Sequence, residues 1–228
     1  MSDVYHLDLR NISLGQYKQT LKEADLIPSR RILKEQIDSR FARLQAQDIS
    51  NLAEFLEAVK STGKITELAG RTDLPVEYLT LLRREVNALL PKPRNLRDFP
   101  GIDPEIPQKL AERGIKNSRQ LFEIALSRKQ RTELAEETQI DSEELMELVR
   151  LSDLSRVYGV GPVFARLLYD AGIESVEAIA RADTSQLFAK LSKAYLAAGN
   201  SRVDFKERDI AFCIQMAGRL PASIVNRL

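Results

Sequence analysis

At 228 residues, with 43% hydrophobic and 29% charged side chains, the chain can bury one large core or several small ones, and ten glycines and nine prolines are too few for a disordered polymer. Thirty-four basic against thirty-three acidic residues give a net charge of +1, so overall charge lends no support to an obligate nucleic-acid binder, although one basic face suffices for contact. The single cysteine, Cys213, excludes an intramolecular disulfide and fits a reducing cytoplasm, and beside the single histidine, His6, it cannot build a Cys/His zinc site.

Residues 1–12 alternate Val4, His6, Asp8 and Arg10 with Tyr5, Leu7 and Leu9, which predicts a short extended arm. The start lacks a basic region followed by an apolar core, so no signal peptide is expected. No window approaches the roughly 18 to 20 apolar residues of a membrane span, so no membrane partner is expected. Ser13 then caps a helix carrying Leu14, Tyr17, Leu21 and Ala24. Pro28-Ser29 opens a new segment over 30–47, with Ile32, Leu33, Ile37, Phe41 and Leu44 on its apolar side and the first, glycine-free hairpin copy expected over 34–41. A turn at 48–51 leads into a helix over 52–60, Gly63 breaks the chain, and helices follow over 65–71 and 75–90. Pro75 suits an early helical position, where its missing N–H costs nothing. Pro91-Lys92-Pro93 reads as a stiff linker.

The scheme then repeats. Ile49-Ser50-Asn51 returns 66 positions later as Ile115-Lys116-Asn117, and Thr66-Glu67-Leu68-Ala69 returns as Thr132-Glu133-Leu134-Ala135. A second register of 58 places Gly101-Ile102-Asp103-Pro104 on Gly159-Val160-Gly161-Pro162, and Gly114-Ile115 on Gly172-Ile173. The expected division is an N-terminal arm and helix over 1–29, a degenerate helical unit over 30–95, a second unit over 96–153, and a third over 154–228. In the second unit, Asp141-Ser142-Glu143-Glu144 is an N-cap with acidic residues in the first turn, favourable to the helix dipole. The third continues through a helix over 178–198, a loop over 199–205, and a helix over 209–220 stopped by Pro221. The fold class is all-α.

The stretch over 154–172 reads as helix, tight glycine turn, second helix and glycine stop. Glycine takes positive φ and lets a ligand approach the backbone, while amides at a helix start are unsatisfied and carry partial positive charge. A phosphate oxygen fits such a turn with no base being read. Leu154, Val157, Gly159, Val160, Gly161, Ala165 and Leu168 resemble the helix-hairpin-helix superfamily (SAM-like). That resemblance implies that the glycines shape the hairpin, that the residue between them packs inward, and that Ala165 permits close helix packing. Leu26-Ile27-Pro28-Ser29-Arg30-Arg31-Ile32-Leu33, Leu79-Thr80-Leu81-Leu82-Arg83-Arg84-Glu85, Phe99-Pro100-Gly101-Ile102 and Gly161-Pro162-Val163-Phe164-Ala165-Arg166 extend it. They resemble an uncharacterised bacterial family of tandem helix-hairpin-helix proteins, described only as a domain of unknown function. The copies are unequal: the third keeps both glycines, the second keeps Gly101 but has Asp103 where a carboxylate would repel phosphate, and the first has none.

The expected nucleic-acid-binding set is Gly159, Val160 and Gly161, with Arg156 and Arg166 as charge partners, Tyr158 in the turn, and Gly101 in the sister hairpin. Each has a plainer reading: a packing turn, a solvated charge, a tyrosine in contact with the core. Phe41, Phe55, Phe99, Phe122, Phe164 and Phe188 are expected to fill the core, and Cys213 to be inert within it. No general-base histidine, metal-ligand cluster or phosphate-binding loop of the nucleotide-hydrolase type is present, so no enzyme, metal or cofactor is expected. Two functions remain open. One is sequence-independent contact with a DNA backbone, weak and with a small salt slope because few phosphates would be neutralised. The other is a protein–protein adaptor that keeps the fold as a scaffold. Exposed, uncharged hairpin tips would favour the adaptor, and a continuous positive face through Arg156, Arg166 and Arg94 would favour nucleic acid.

Overall fold

A computed structural model describes residues 5–24 and 26–221, which are helical without a named strand, as the all-α reading requires. The chain forms two compact units: one over 8–90, the other from 91 onward together with the described residues that precede Asp8.

The first unit begins with a 3-10 turn, Leu9–Asn11, because the Asp8 carboxylate accepts the Arg10 amide and closes the backbone. The extended arm predicted over 1–12 therefore ends before Leu9, and its positions 1–4 lie outside the described residues. Helix α1 (Leu14–Glu23) starts with a reciprocal capping box between Ser13 and Gln16. The segment read over 30–47 is two helical pieces, a 3-10 turn Pro28–Lys34 and helix α2 (Ile37–Gln45). Gln36 separates them at φ 48°, a left-handed backbone that no glycine marks in the sequence. The buried Arg40 staples the two pieces: its Nη1 donates to the Ile32 carbonyl at 2.9 Å, and its guanidinium lies 4.4 Å from the Tyr78 ring centre.

Helices α3 (Leu52–Ala58), α4 (Thr62–Thr72) and α5 (Val76–Ala88) complete this unit. Gly63 sits inside the first turn of α4 rather than breaking the chain, because Ser61 caps that helix by accepting the Lys64 amide. Phe41, Leu44, Leu52, Phe55, Tyr78 and Leu79 form a core closed to solvent.

Burial pushes the Tyr78 hydroxyl up to about 12. Between its ordinary value near 10 and about 12, Tyr78 stays protonated in the folded chain and ionises in the unfolded one. Its contribution is therefore complete below pH ~10 and is lost as pH rises through that window, by up to ~1.4 kcal/mol per pH unit. Urea unfolding at pH 9, 10 and 11 should show this decline, and Tyr78→Phe should flatten it.

The second unit opens with residues 5–7, which lie on it. The Tyr5 hydroxyl shares a 2.7 Å hydrogen bond with Ser118, and His6 Nε2 donates to the Pro91 carbonyl at 3.0 Å. After a 3-10 turn, Leu96–Asp98, come α6 (Glu105–Glu112), α7 (Ser118–Ile124), α8 (Arg128–Thr138) and α9 (Ser142–Leu154). They are followed by α10 (Pro162–Asp170), α11 (Val176–Ala180), α12 (Thr184–Ala197) and α13 (Glu207–Ala217). The helix predicted over 178–198 is thus interrupted, because Asp183 accepts the Gln186 amide and starts α12 afresh.

The boundaries of α7, α8 and α9 equal those of α3, α4 and α5 displaced by 66 residues. Local chemistry follows the same displacement. Asn51 and Asn117 cap α3 and α7, Ser61 and Ser127 cap α4 and α8, and Thr72 and Thr138 each donate at 2.6 Å to the carbonyl four residues back. Asp73 and Gln139 end α4 and α8 in the same left-handed conformation, each at φ 52°. In each unit an isolated antiparallel bridge ties an early segment to an N-cap: Ser13 to Asn51, and Asn95 to Asn117.

Phe41, Phe55, Phe99 and Phe122 are buried as expected. Phe164 and Phe188 are not in the closed core. They are half-buried and turn their edges to Phe205, with ring centres 5.4 and 5.9 Å away. Cys213 is buried in α13, and burial pushes its thiol up to about 12, so it is held as an inert thiol at neutral pH.

Candidate functional site

The best-formed hairpin joins α9 to α10. Its turn is closed from within: the Val157 amide donates to the Leu154 carbonyl at 3.1 Å, and the Val160 amide to the Val157 carbonyl at 3.0 Å. Between them Gly159 takes φ 83°, which a Cβ would strain. Gly161 is the N-cap of α10, extended rather than left-handed, and Pro162 fills the first helical position without wasting an N–H. Ala165 is fully buried, its amide donating to the Gly161 carbonyl at 2.8 Å, so the small side chain lets the two helices meet closely.

The expected site residues divide sharply. Gly159 is exposed, Gly161 is half-exposed, and a Cβ at either position would meet nothing within 4 Å. Among the described residues, the amides of Gly161, Val163 and Phe164 have no backbone acceptor, as expected for the first turn of a helix. Val160 is buried and fixes the turn from below. Val163, on the first turn of α10, is 65% exposed. Tyr158 is half-buried and packs its ring edge-on against Phe212 at 5.2 Å, so it belongs to the packing side of the turn.

Neither arginine faces outward. Arg156 is 1% exposed, and its guanidinium forms a 2.7 Å ion pair with the equally buried Asp153. It also donates to the Tyr5 carbonyl at 3.3 Å and the Pro221 carbonyl at 3.4 Å, and lies 4.4 Å from the Phe122 ring centre. A phosphate has no path to it, so its place is structural. Arg166 is bound on three sides: to Glu147 on α9, to Asp170 at 3.2 Å on its own helix, and to the Pro100 carbonyl at 2.8 Å. Its charge is offset by two carboxylates, and the positive face expected through Arg156, Arg166 and Arg94 is not assembled at this turn.

Gly101, at φ 77°, carries that Arg166 contact. A Cβ there would lie 3.1 to 3.3 Å from the guanidinium atoms. Gly101→Ala therefore adds a displaced arginine to the backbone strain. It is expected to destabilise the second unit by ~2 kcal/mol, against ~1 kcal/mol for Gly159→Ala, where the space is open. Urea unfolding of the two variants side by side checks the order.

Sequence reasoning missed Asp153 and Tyr5. The signal for the first was present, an acid three residues before an arginine amid Leu151, Leu154 and Val157, where no solvated face is available. Tyr5 is 151 residues from Arg156, and nothing local announces that contact. Among the described residues, no helix is long and apolar enough to cross a membrane, and no three His, Cys, Asp or Glu side chains converge as metal ligands.

No curated protein and no solved structure matches the chain. A family model does match, over residues 100–220, more than half of the chain, taking in the turns of Gly101 and Gly159. By that match the chain belongs to the family described as Domain of unknown function (DUF4332).

Proposed function

We propose that the chain is a non-catalytic scaffold of tandem helix-hairpin-helix units whose hairpins bind other proteins. The tandem reading is supported by the 66-residue displacement of three successive helices. Left-handed residues at matching points support it too: Gln36, Gly101 and Gly159 before the second helix of each hairpin, and Asp48, Gly114 and Gly172 after it.

The observation that carries the functional reading is the charge state of the α9–α10 turn. Its two arginines are spent inside the fold, and what remains at the tip is glycine, proline and the exposed Val163. An uncharged apolar tip gains little from a polyanion and something from an apolar partner surface. Affinity capture with nuclease treatment tests this. Retained proteins should survive nuclease and be lost with Val163→Glu, whereas retention that vanishes on nuclease treatment would contradict the scaffold reading.

A second reading, contact with a nucleic-acid backbone, is favoured by one observation: the open space beside Gly159 and Gly161, next to the unpaired amides of the α10 first turn. In that reading Gly159, Gly161 and the following amides would hold one phosphate, with no contribution from Arg156.

A further inference from the structure

We propose that the partner surface received at the α9–α10 tip is acidic as well as apolar, and that the receiving face runs from Val163 to Leu196 and the loop after α12. The inference rests on the scaffold reading and deepens it by naming the chemistry of the partner.

The face is traced through neighbouring side chains. Val163, 65% exposed, precedes Phe164 on α10. Phe164 meets Phe205 edge-on, and Phe205 meets Tyr195 of α12 in the same way, with ring centres 5.4 and 5.6 Å apart. Phe188 joins them at 5.9 Å from Phe205, and all four rings are half-buried. Leu196, 47% exposed, follows Tyr195. Among the described residues, the large apolar side chains exposed in the second unit are Ile124, Val163 and Leu196, so two of them flank one aromatic cluster. An apolar area of that kind is what a protein interface covers at its centre.

The charges give the sign of the partner. From Thr184 to Lys206 the chain carries Lys190, Lys193, Arg202 and Lys206 against a single carboxylate, Asp204, which stands beside Tyr195. Lys190 reaches toward Gly172, at the opposite end of α10 from Val163. The other three belong to the face: Lys193 lies one helical turn before Leu196, and Arg202 and Lys206 lie in the loop that bears Phe205. Each is exposed, and none is ion-paired among the described residues. Carboxylates of a partner would meet cations that have no counter-ion within the fold, around an apolar centre. A protein segment fits this face better than a base or a lipid. The rings are set edge-on to Phe205, at 79 to 86°, and are held half-buried rather than projecting as stacking platforms or membrane anchors.

Selection of peptides from a displayed random library on the full chain tests the proposal. Enriched peptides should combine large apolar residues with Asp or Glu. Leu196→Ser should weaken them about tenfold, the share of one apolar side chain. Lys193→Glu/Arg202→Glu/Lys206→Glu, all at exposed positions, should turn the enrichment toward Lys and Arg while helicity is retained. No enrichment, enrichment without an acidic bias, or acidic peptides that bind both variants as they bind the parent would overturn the acidic face. Binding to phosphatidylserine vesicles that Leu196→Ser abolishes, in place of peptide binding, would overturn it too. The scaffold reading is scored separately, by capture that survives nuclease and is lost with Val163→Glu. Where that capture holds and the selection fails, the acidic face alone falls; where both fail, both fall.

Discussion

Asp153→Ala is expected to destabilise the second unit by about 3–5 kcal/mol, the cost of leaving a charge buried without its counter-ion. Asp153 and Arg156 have no side-chain exposure, so water cannot replace the lost carboxylate. The guanidinium would still meet the Tyr5 and Pro221 carbonyls, at 3.3 and 3.4 Å, and the Phe122 ring face. Removing both charges is a different experiment. Asp153→Leu with Arg156→Met leaves no uncompensated ion and is expected to lie within ~2 kcal/mol of the parent, because desolvation of a buried pair consumes most of its Coulomb attraction. Hydrogen exchange of the α7 and α9 amides reads both variants in the region concerned. A single substitution no worse than the double would show that the pair is solvated.

Tyr5→Ala should cost about as much, ~3–5 kcal/mol, since it removes a large, fully buried aromatic side chain. The ring meets His6 and Phe122 edge-on at 4.8 and 5.3 Å, and its hydroxyl joins Ser118, which also receives the Arg94 amide. Tyr5→Phe separates these contributions: it keeps the ring, loses one buried hydrogen bond, and should cost only ~1 kcal/mol. Tyr5 and Leu7 are thus part of the core of the second unit. Tyr5→Ala should loosen α7 as Asp153→Ala loosens α9, and their combined effect should fall short of additive, because the Tyr5 carbonyl accepts from Arg156.

Helices were legible in the sequence wherever polar caps and apolar spacing agreed, as with Ser13 before α1, Asn51 before α3 and Asp141 before α9. The left-handed backbone of Gln36, in the first hairpin copy, was not, because a non-glycine residue adopts it and leaves no compositional mark. The glycine turn itself was legible down to the inward-facing Val160. Its surroundings were not. Arg156 and Arg166 read as flanking charges because sequence shows a side chain's type, not its direction. Direction depended on Tyr5 and Pro221 for one, and on Glu147 and Pro100 for the other, all distant in the chain except Glu147. Phe164 and Phe188 misled in the opposite sense: helical spacing places them on an apolar face, but there they stay half-buried and meet Phe205 of the following loop. The turn that looked most like a phosphate clamp therefore has its cations folded inward, and that change of direction moves the functional reading from nucleic acid toward protein.

Fluorescence anisotropy of labelled duplex and single-stranded DNA at low salt tests that account most directly. It predicts no saturable binding at tens of micromolar protein, and no difference between the parent chain and Gly161→Val. Saturable, salt-sensitive binding that Gly161→Val abolishes while helicity is retained would contradict it and place a phosphate at the α10 turn.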